Sequence, residues 1–209
     1  MKQKLLLTSA GMGVKEEIFK ILPKPPAKVK FAHIITASKP EKNIDYMLIE
    51  KKAMIEAGLR VKDIDIEGKT EDQLRQIFKD MDVLYIQGGN PFYLLKHVKK
   101  SGFDKVVREF INQGKVYIGV SAGSYIACPT IEQALWKNPK RNRFGLTNLT
   151  AMNLVPFLIS AHFEEKYHSL LERAAKTTKY PIVALTDKQA VLVEGKKWRI
   201  VGKGKKSNF

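Results

Sequence analysis

The sequence predicts an α/β fold with a mostly parallel sheet and helices on both faces. In residues 1–120, short apolar runs alternate with stretches of helical periodicity, the order of a parallel sheet with crossover helices. Most of these runs lack the polar alternation of a strand with one wet face, which indicates strands buried on both sides. A length of 209 residues suits one such domain, and no linker or repeat divides residues 1–209.

Each predicted strand is a short apolar run that ends at turn-forming residues. Strands are expected, in order, at residues 5–9, 31–36, 61–66, 82–87 and 116–120, within 152–161, and at 182–186, 190–194 and 198–201. The last two form a hairpin around Gly195 and Lys196. His33 lies inside the second strand, where we expect a core histidine and not a catalyst.

The predicted helices lie between these strands. They are expected at residues 14–22, 44–57, 71–79, 92–99, 103–112 and 164–176. Proline at position 23 ends the first and Gly58 ends the second. Thr70 with Gln73 has the pattern of a capping box at the start of the third. Residues 136–143 are polar and basic and predict a surface loop or hairpin.

The strand at 116–120 leads into Gly119, Ser121 and Gly123, which have the G-x-S-x-G spacing of a nucleophile elbow. Such a serine sits on a tight strand-to-helix turn, and small flanking residues let the two segments approach closely. Residues 125–128 can form the helix that follows, so the N–H of Ala122 could stabilise an oxyanion. An ordinary corner with a capping serine would have the same letters, but the strand-to-helix context favours a nucleophile.

A second glycine turn, Gly88-Gly89-Asn90, follows the strand at 82–87 and precedes a helix that begins at Pro91. Glycines there let the backbone approach a ligand and direct N–H groups toward it. A plain turn with proline at the first helical position is the alternative. Because ligands of parallel sheets bind beyond the carboxyl ends of the strands, this turn and Ser121 are expected to share one site, with Gly88 and Asn90 contacting substrate.

A serine nucleophile needs a base, and the base needs an orienting acid. Of the four histidines, His162 follows a predicted strand on the ligand-binding edge, whereas His168 is expected to face solvent from a helix. Glu132 is the acidic residue between Ser121 and His162 and is our first candidate for the acid. Asp187 at the end of a later strand, Glu164 or Glu165 beside His162, and a Ser–His dyad are the alternatives.

Composition bounds the other function classes. The 37 Lys and Arg against 21 Asp and Glu give a net charge of +16, which raises a nucleic-acid hypothesis. The basic residues are spread along the chain except at the C-terminus, and no RNA-binding or zinc motif accompanies them, so a solvated surface is favoured.

No apolar run is long enough for a membrane span, and the N-terminus is expected to be a first strand and not a signal peptide. The glycines near residue 11 do not complete a dinucleotide motif, and the single Cys128 fits a reducing compartment.

Several segments together resemble the peptidase E family of serine peptidases. They are 87–92 with 94–96, 117–123, 127–131 and 153–163, in matching order over most of the chain. The resemblance implies a cytoplasmic fold related to class I glutamine amidotransferases. It implies Ser121 as nucleophile, His162 as base and Gly89 with Ala122 as the oxyanion hole, with no metal or organic cofactor.

The chain departs from that family at two places. The family's acid usually follows the serine by more residues than Glu132 does, and the region around Trp136 offers no carboxylate. Aspartyl dipeptidases of the family carry an arginine-bearing insertion after the His-Phe pair, whereas here residues 162–163 lead directly into Glu164 and a helix. Aspartate specificity is therefore not carried over.

The resulting expectation is a cytoplasmic serine hydrolase, a monomer or homodimer, that cleaves small peptides through an acyl-enzyme. A binding protein that kept the fold without efficient catalysis, and a basic nucleic-acid-associated protein, are the alternatives.

Overall fold

A computed structural model describes residues 3–209, in which ten strands form two sheets. The strands are β1 (Lys4–Thr8), β2 (Lys30–Ile34), β3 (Arg60–Ile64), β4 (Val83–Ile86), β5 (Val116–Val120), β6 (Leu158–Ser160), β7 (Ile182–Ala184), β8 (Gln189–Glu194), β9 (Lys197–Gly202) and β10 (Ser207–Asn208). The helices are α1 (Lys15–Ile21), α2 (Asp45–Glu56), α3 (Glu71–Phe78), α4 (Pro91–Ser101), α5 (Phe103–Asn112), α6 (Ala122–Tyr125), α7 (Gln133–Lys137) and α8 (His168–Ala175).

The larger sheet has seven strands in the order β3-β2-β4-β5-β1-β8-β9. Its first five strands are parallel to one another, and β8 and β9 add an antiparallel edge. All residues of the central strands β4 and β5 are buried, because apolar side chains cover both faces. The predicted α/β class with a mostly parallel sheet is confirmed.

The smaller sheet has the order β10-β7-β6, with β6 and β7 parallel. Ile159 and Val183 from its strands belong to the same hydrophobic core as Tyr117 of β5, so the two sheets pack on shared apolar side chains. This core fixes the end of β6 against the end of β5. The residues that follow the two strands therefore meet.

Most predicted elements are confirmed, and their boundary signals are present. Thr70 and Gln73 form a complete capping box at α3. His33 is fully buried and hydrogen-bonded by its ring nitrogens to Asp63 and Gln87, at 2.9 and 3.0 Å. It is thus a satisfied core histidine, as expected.

Three local predictions were wrong or incomplete. Part of the loop predicted at 136–143 is helical, because α7 begins at Gln133 and buries Ala134 against the core. The elbow helix begins directly after Ser121 and not at 125. Strand β10 was not predicted, since two polar residues at an edge carry no hydrophobic periodicity.

None of the helices formed by residues 3–209 is long and apolar enough to cross a membrane. Within the same residues, no group of three or more His, Cys, Asp or Glu side chains is arranged to hold a metal ion.

Candidate active site

Ser121 sits on a strained turn between β5 and α6. Its φ of 47° and ψ of −102° lie in a region that non-glycine residues rarely adopt. The flanking glycines make the turn possible: a Cβ on Gly119 would lie 2.7 Å from the backbone of Gly123, and one on Gly123 would lie 2.2 Å from the carbonyl oxygen of Ile86. The sequence motif thus corresponds to a real strand-to-helix elbow that exposes the Ser121 hydroxyl.

His162 lies beside this hydroxyl. Its Nε2 is 3.1 Å from Ser121 Oγ, within hydrogen-bond reach. His162 follows β6 and also has a positive φ, 54°, which turns its ring from the small sheet toward the elbow. The structure therefore brings together the serine and histidine that the sequence selected.

The other ring nitrogen of His162 faces a carboxylate. Asp187 Oδ1 lies 2.7 Å from Nδ1. Their side chains are about half exposed, 51% for His162 and 59% for Asp187. An acceptor at Nδ1 keeps the proton there, so Nε2 is free to accept the proton of Ser121.

The structure corrects the expectation for Glu132. An imidazole nitrogen has one in-line hydrogen-bonding direction, and at Nδ1 of His162 Asp187 occupies it. Glu132 directly precedes α7, where its side chain makes no capping hydrogen bond, and it is not among the hydrogen-bond partners of the His162 ring. Asp187, an alternative at the sequence level, is the carboxylate that meets the ring.

Ser9 is a site residue that the sequence analysis missed. Its hydroxyl donates to Asp187 Oδ1 at 2.7 Å and accepts the backbone N–H of His162, also at 2.7 Å. It therefore links the end of β1 in the large sheet to both residues from the small sheet. Its position directly after a strand, on the ligand-binding edge, is the signal that could have identified it.

Two backbone N–H groups adjoin Ser121. Neither the N–H of Gly89 nor that of Ala122 donates a hydrogen bond to any of the described residues. The Gly88 carbonyl accepts from Ser38 Oγ at 2.9 Å, so the Gly89 N–H in the same trans peptide points the opposite way. A Cβ on Gly89 would meet the Ala37 carbonyl at 2.2 Å, and one on Gly88 would lie 3.5 Å from Ser121 Cβ. Glycine is required at 89, and the turn lies against the serine.

Asn90 and Arg141 hold this turn. The Asn90 side-chain oxygen caps α4 by accepting from the N–H groups of Phe92 and Tyr93, and its amide donates to the Arg141 carbonyl. The Arg141 guanidinium donates to the Gly89 carbonyl at 2.8 Å. Asn90 therefore fixes the shape of this turn, and it also lines a cavity beside Ser121.

Two cavities flank Ser121 and His162, and both residues line each of them. The first, about 510 Å³, is called the apolar recess; its apolar lining is Ala10, Met12, Tyr46, Ile49, Ala53 and Val120. The second, about 500 Å³, is called the basic recess; its cationic lining is Lys137, Lys140, Arg141 and Arg143. A peptide held across the serine could occupy both.

Lys137 in the basic recess is tied to the backbone that carries the histidine. Its Nζ donates to the carbonyls of Ala161 and His162, at 2.6 and 3.0 Å, and lies 4.3 Å from the ring centre of Tyr167. Burial lowers the pKa of Lys137 to about 8, a shift that the nearby carboxylates of Glu164 and Asp187 oppose.

Comparison with known proteins gives a consistent assignment. The family model described as Peptidase family S51 matches residues 5–201. An uncharacterized peptidase from Listeria monocytogenes is 34% identical over 169 residues, covering 78% of this chain and 81% of that protein. A Peptidase E from Shewanella amazonensis is 29% identical over 163 residues, covering 71% and 66%.

The solved structures agree. The crystal structure of a candidate Peptidase E protein from Listeria monocytogenes EGD-e superposes with a TM-score of 0.85 at 28% identity, covering 98% of this chain and 100% of that one. A peptidase from an acI-B1 Actinobacterium has a TM-score of 0.74 at 17% identity, covering 100% and 94%, and so supports the fold alone. With the family model spanning nearly the whole chain, the protein belongs to peptidase family S51, the peptidase E family of serine hydrolases, and is a peptidase.

Proposed function

We propose that the protein hydrolyses small peptides through Ser121, His162 and Asp187. The observation that carries the proposal is the continuous hydrogen-bonded chain from Ser121 Oγ to His162 Nε2, at 3.1 Å, and from His162 Nδ1 to Asp187, at 2.7 Å. This is the order of contacts that a nucleophile, a general base and an orienting acid require.

The reaction proceeds in two halves. Ser121 Oγ attacks the scissile carbonyl carbon while His162 Nε2 takes the hydroxyl proton, and the oxyanion accepts hydrogen bonds from the N–H groups of Gly89 and Ala122. The C–N bond then breaks as His162 returns the proton to the leaving amine, which leaves an acyl-Ser121 ester. Water, deprotonated by His162, attacks the ester and releases the acid, and the proton returns to Ser121.

Asp187 keeps the Nδ1 proton in place and stabilises the imidazolium in both halves. The two recesses support a short peptide substrate, because each cavity of about 500 Å³ accommodates one or two residues on its side of the serine. A single, fully buried thiol, Cys128, is compatible with work in the reducing cytoplasm, where we place the activity.

Labelling by a fluorophosphonate probe tests the nucleophile without knowledge of the substrate. Wild-type protein is expected to form one covalent adduct at Ser121, and Ser121→Ala none. Ser124→Ala is not a suitable control, because Ser124 Oγ is buried and hydrogen-bonded to two carbonyls. Ser169→Ala removes an exposed hydroxyl from α8 and should still label. Equal labelling of wild type and Ser121→Ala would overturn the proposal.

A further inference from the structure

The apolar recess has a composition that distinguishes one kind of substrate side chain. Tyr46, Ile49 and Ala53 lie at i, i+3 and i+7 along α2 and so form one face of the helix toward the cavity. Ile49 is 68% exposed and Tyr46 is 40% exposed, a high exposure for large apolar side chains. An apolar surface is thus open to solvent next to the serine.

The polar groups at the base of this recess already have partners. Glu50 Oε1 accepts from the Met12 N–H and from Tyr85 Oη, at 2.8 and 2.6 Å. Glu50 Oε2 accepts from Gln87 Nε2 at 2.7 Å. A carboxylate with three internal donors has little left to offer a cationic ligand, and it is fixed in place.

Two charged groups, Glu41 and Arg141, lie at the rim. Glu41 Oε1 lies 3.5 Å from Arg143 without a hydrogen bond among the described residues, and the Arg141 guanidinium donates to the Gly89 carbonyl. Inside this rim the recess is lined mainly by apolar side chains.

From these contacts we infer that the apolar recess is a specificity subsite for a large aliphatic or aromatic side chain next to the scissile bond, with Ile49 as its main determinant. The inference rests on the proposed function, since it names the substrate class of that same site. Ser121 and His162 line the recess, so a side chain bound there belongs to a residue that flanks the reacting carbonyl. Transfer of that side chain from water to the recess supplies the selectivity.

Two peptide series test the inference and identify whether the recess binds the side chain before or after the scissile bond. In Xaa-Ala and Ala-Xaa dipeptides, Xaa is Gly, Leu, Phe, Asp or Lys, and kcat/KM is measured for each. We expect one series to rise roughly 10- to 100-fold from Gly to Leu or Phe, the gain for burying such a side chain. A flat profile in both series, or the highest rate with Asp or Lys, would overturn it.

Ile49→Asp and Leu48→Asp form a matched pair of variants. Both residues are exposed on α2, 68% and 50%, so neither change disturbs the core, but only Ile49 lines the recess. Ile49→Asp is expected to remove the preference for Leu over Gly, and Leu48→Asp to keep it. A preference that survives in Ile49→Asp, with unchanged thermal unfolding, would contradict the assignment.

A binding measurement separates this inference from the catalytic proposal. Calorimetry with Ser121→Ala compares the affinity for Leu- and Gly-containing dipeptides, with and without Ile49→Asp. Ser121-dependent hydrolysis without an apolar preference would refute the subsite and leave the peptidase mechanism intact. An Ile49-dependent binding preference in a protein that hydrolyses no peptide would refute the mechanism and leave the subsite.

Discussion

Replacing Asp187 by asparagine removes the negative charge beside His162. Oδ1 of the Asp187 carboxylate accepts from both His162 Nδ1 and Ser9 Oγ, each at 2.7 Å. In Asp187→Asn an amide oxygen in the Oδ1 position can still accept from both groups, but the neutral amide does not stabilise the imidazolium by its charge. An amide turned the other way would donate its NH₂ to Nδ1 and favour the tautomer with the proton on Nε2, in which the ring cannot act as a base.

The magnitude follows from the lost charge and from the exposure of the pair. The same change in a fully buried triad lowers kcat by about 10⁴-fold. Here the two side chains are 51% and 59% exposed and the amide oxygen can still accept from Nδ1, so water stabilises part of the imidazolium charge and part of the correct tautomer survives. We expect a loss of roughly 10²- to 10⁴-fold in kcat, which corresponds to about 2.7 to 5.4 kcal/mol in the activation barrier.

The assay is steady-state hydrolysis of the best dipeptide from the substrate series, compared for wild type, Asp187→Asn and Glu132→Gln. Glu132→Gln changes a carboxylate to an amide at a position without a hydrogen bond to His162, so it should retain activity within about twofold. Full activity in Asp187→Asn, or an equal loss in Glu132→Gln with both proteins folded, would refute the assignment of the acid.

Three further outcomes follow from the same contacts. Ser9→Ala removes the hydroxyl that donates to Asp187, and roughly tenfold lower kcat/KM is expected; unchanged kinetics would show that the ring is oriented without it. The pKa of Lys137 is lowered to about 8 in the folded chain and is near 10.5 in the unfolded chain. Between these two pH values the unfolded state binds more protons, so the free energy of unfolding should rise with pH. Thermal unfolding between pH 7 and 10 should show this rise in wild type but not in Lys137→Met; parallel curves would contradict it. Gly123→Ala should lose about 3 kcal/mol or more in denaturant unfolding because its Cβ would meet a carbonyl at 2.2 Å, whereas Gly88→Ala, with its nearest atom at 3.5 Å, should fold; equal stabilities would refute the packing argument.

Local chemistry explains why the elbow could be predicted. Its glycines are needed by contacts only a few residues away, such as the 2.7 Å approach between the Gly119 Cβ position and Gly123. Strand β5 is likewise recognisable because burial on both faces requires a continuous apolar run. These requirements act within one segment, so the segment itself carries the signal.

Asp187 could not be selected in this way, because its partner is 25 residues distant and in another strand. Parallel pairing of β6 with β7 aligns Ser160 with Ala184, and the residues just beyond these strand ends, His162 and Asp187, therefore lie side by side. Its place in the chain between Ser121 and His162 favoured Glu132, but order along the chain does not decide which side chains meet once strand pairing has determined which strand ends are neighbours.

The sequence by itself determined the α/β class, the nucleophile turn and the histidine at a strand end, because strand burial and turn geometry require specific residue types within a short segment. Tertiary structure alone decided the rest of the site. The β1–β5 register aligns Thr8 with Val120 and so places Ser9 beside Ser121. The packing of the small sheet on the large one then brings His162 and Asp187 next to Ser121. The physical reason is that these contacts depend on the pairing and packing of strands that lie far apart in the chain.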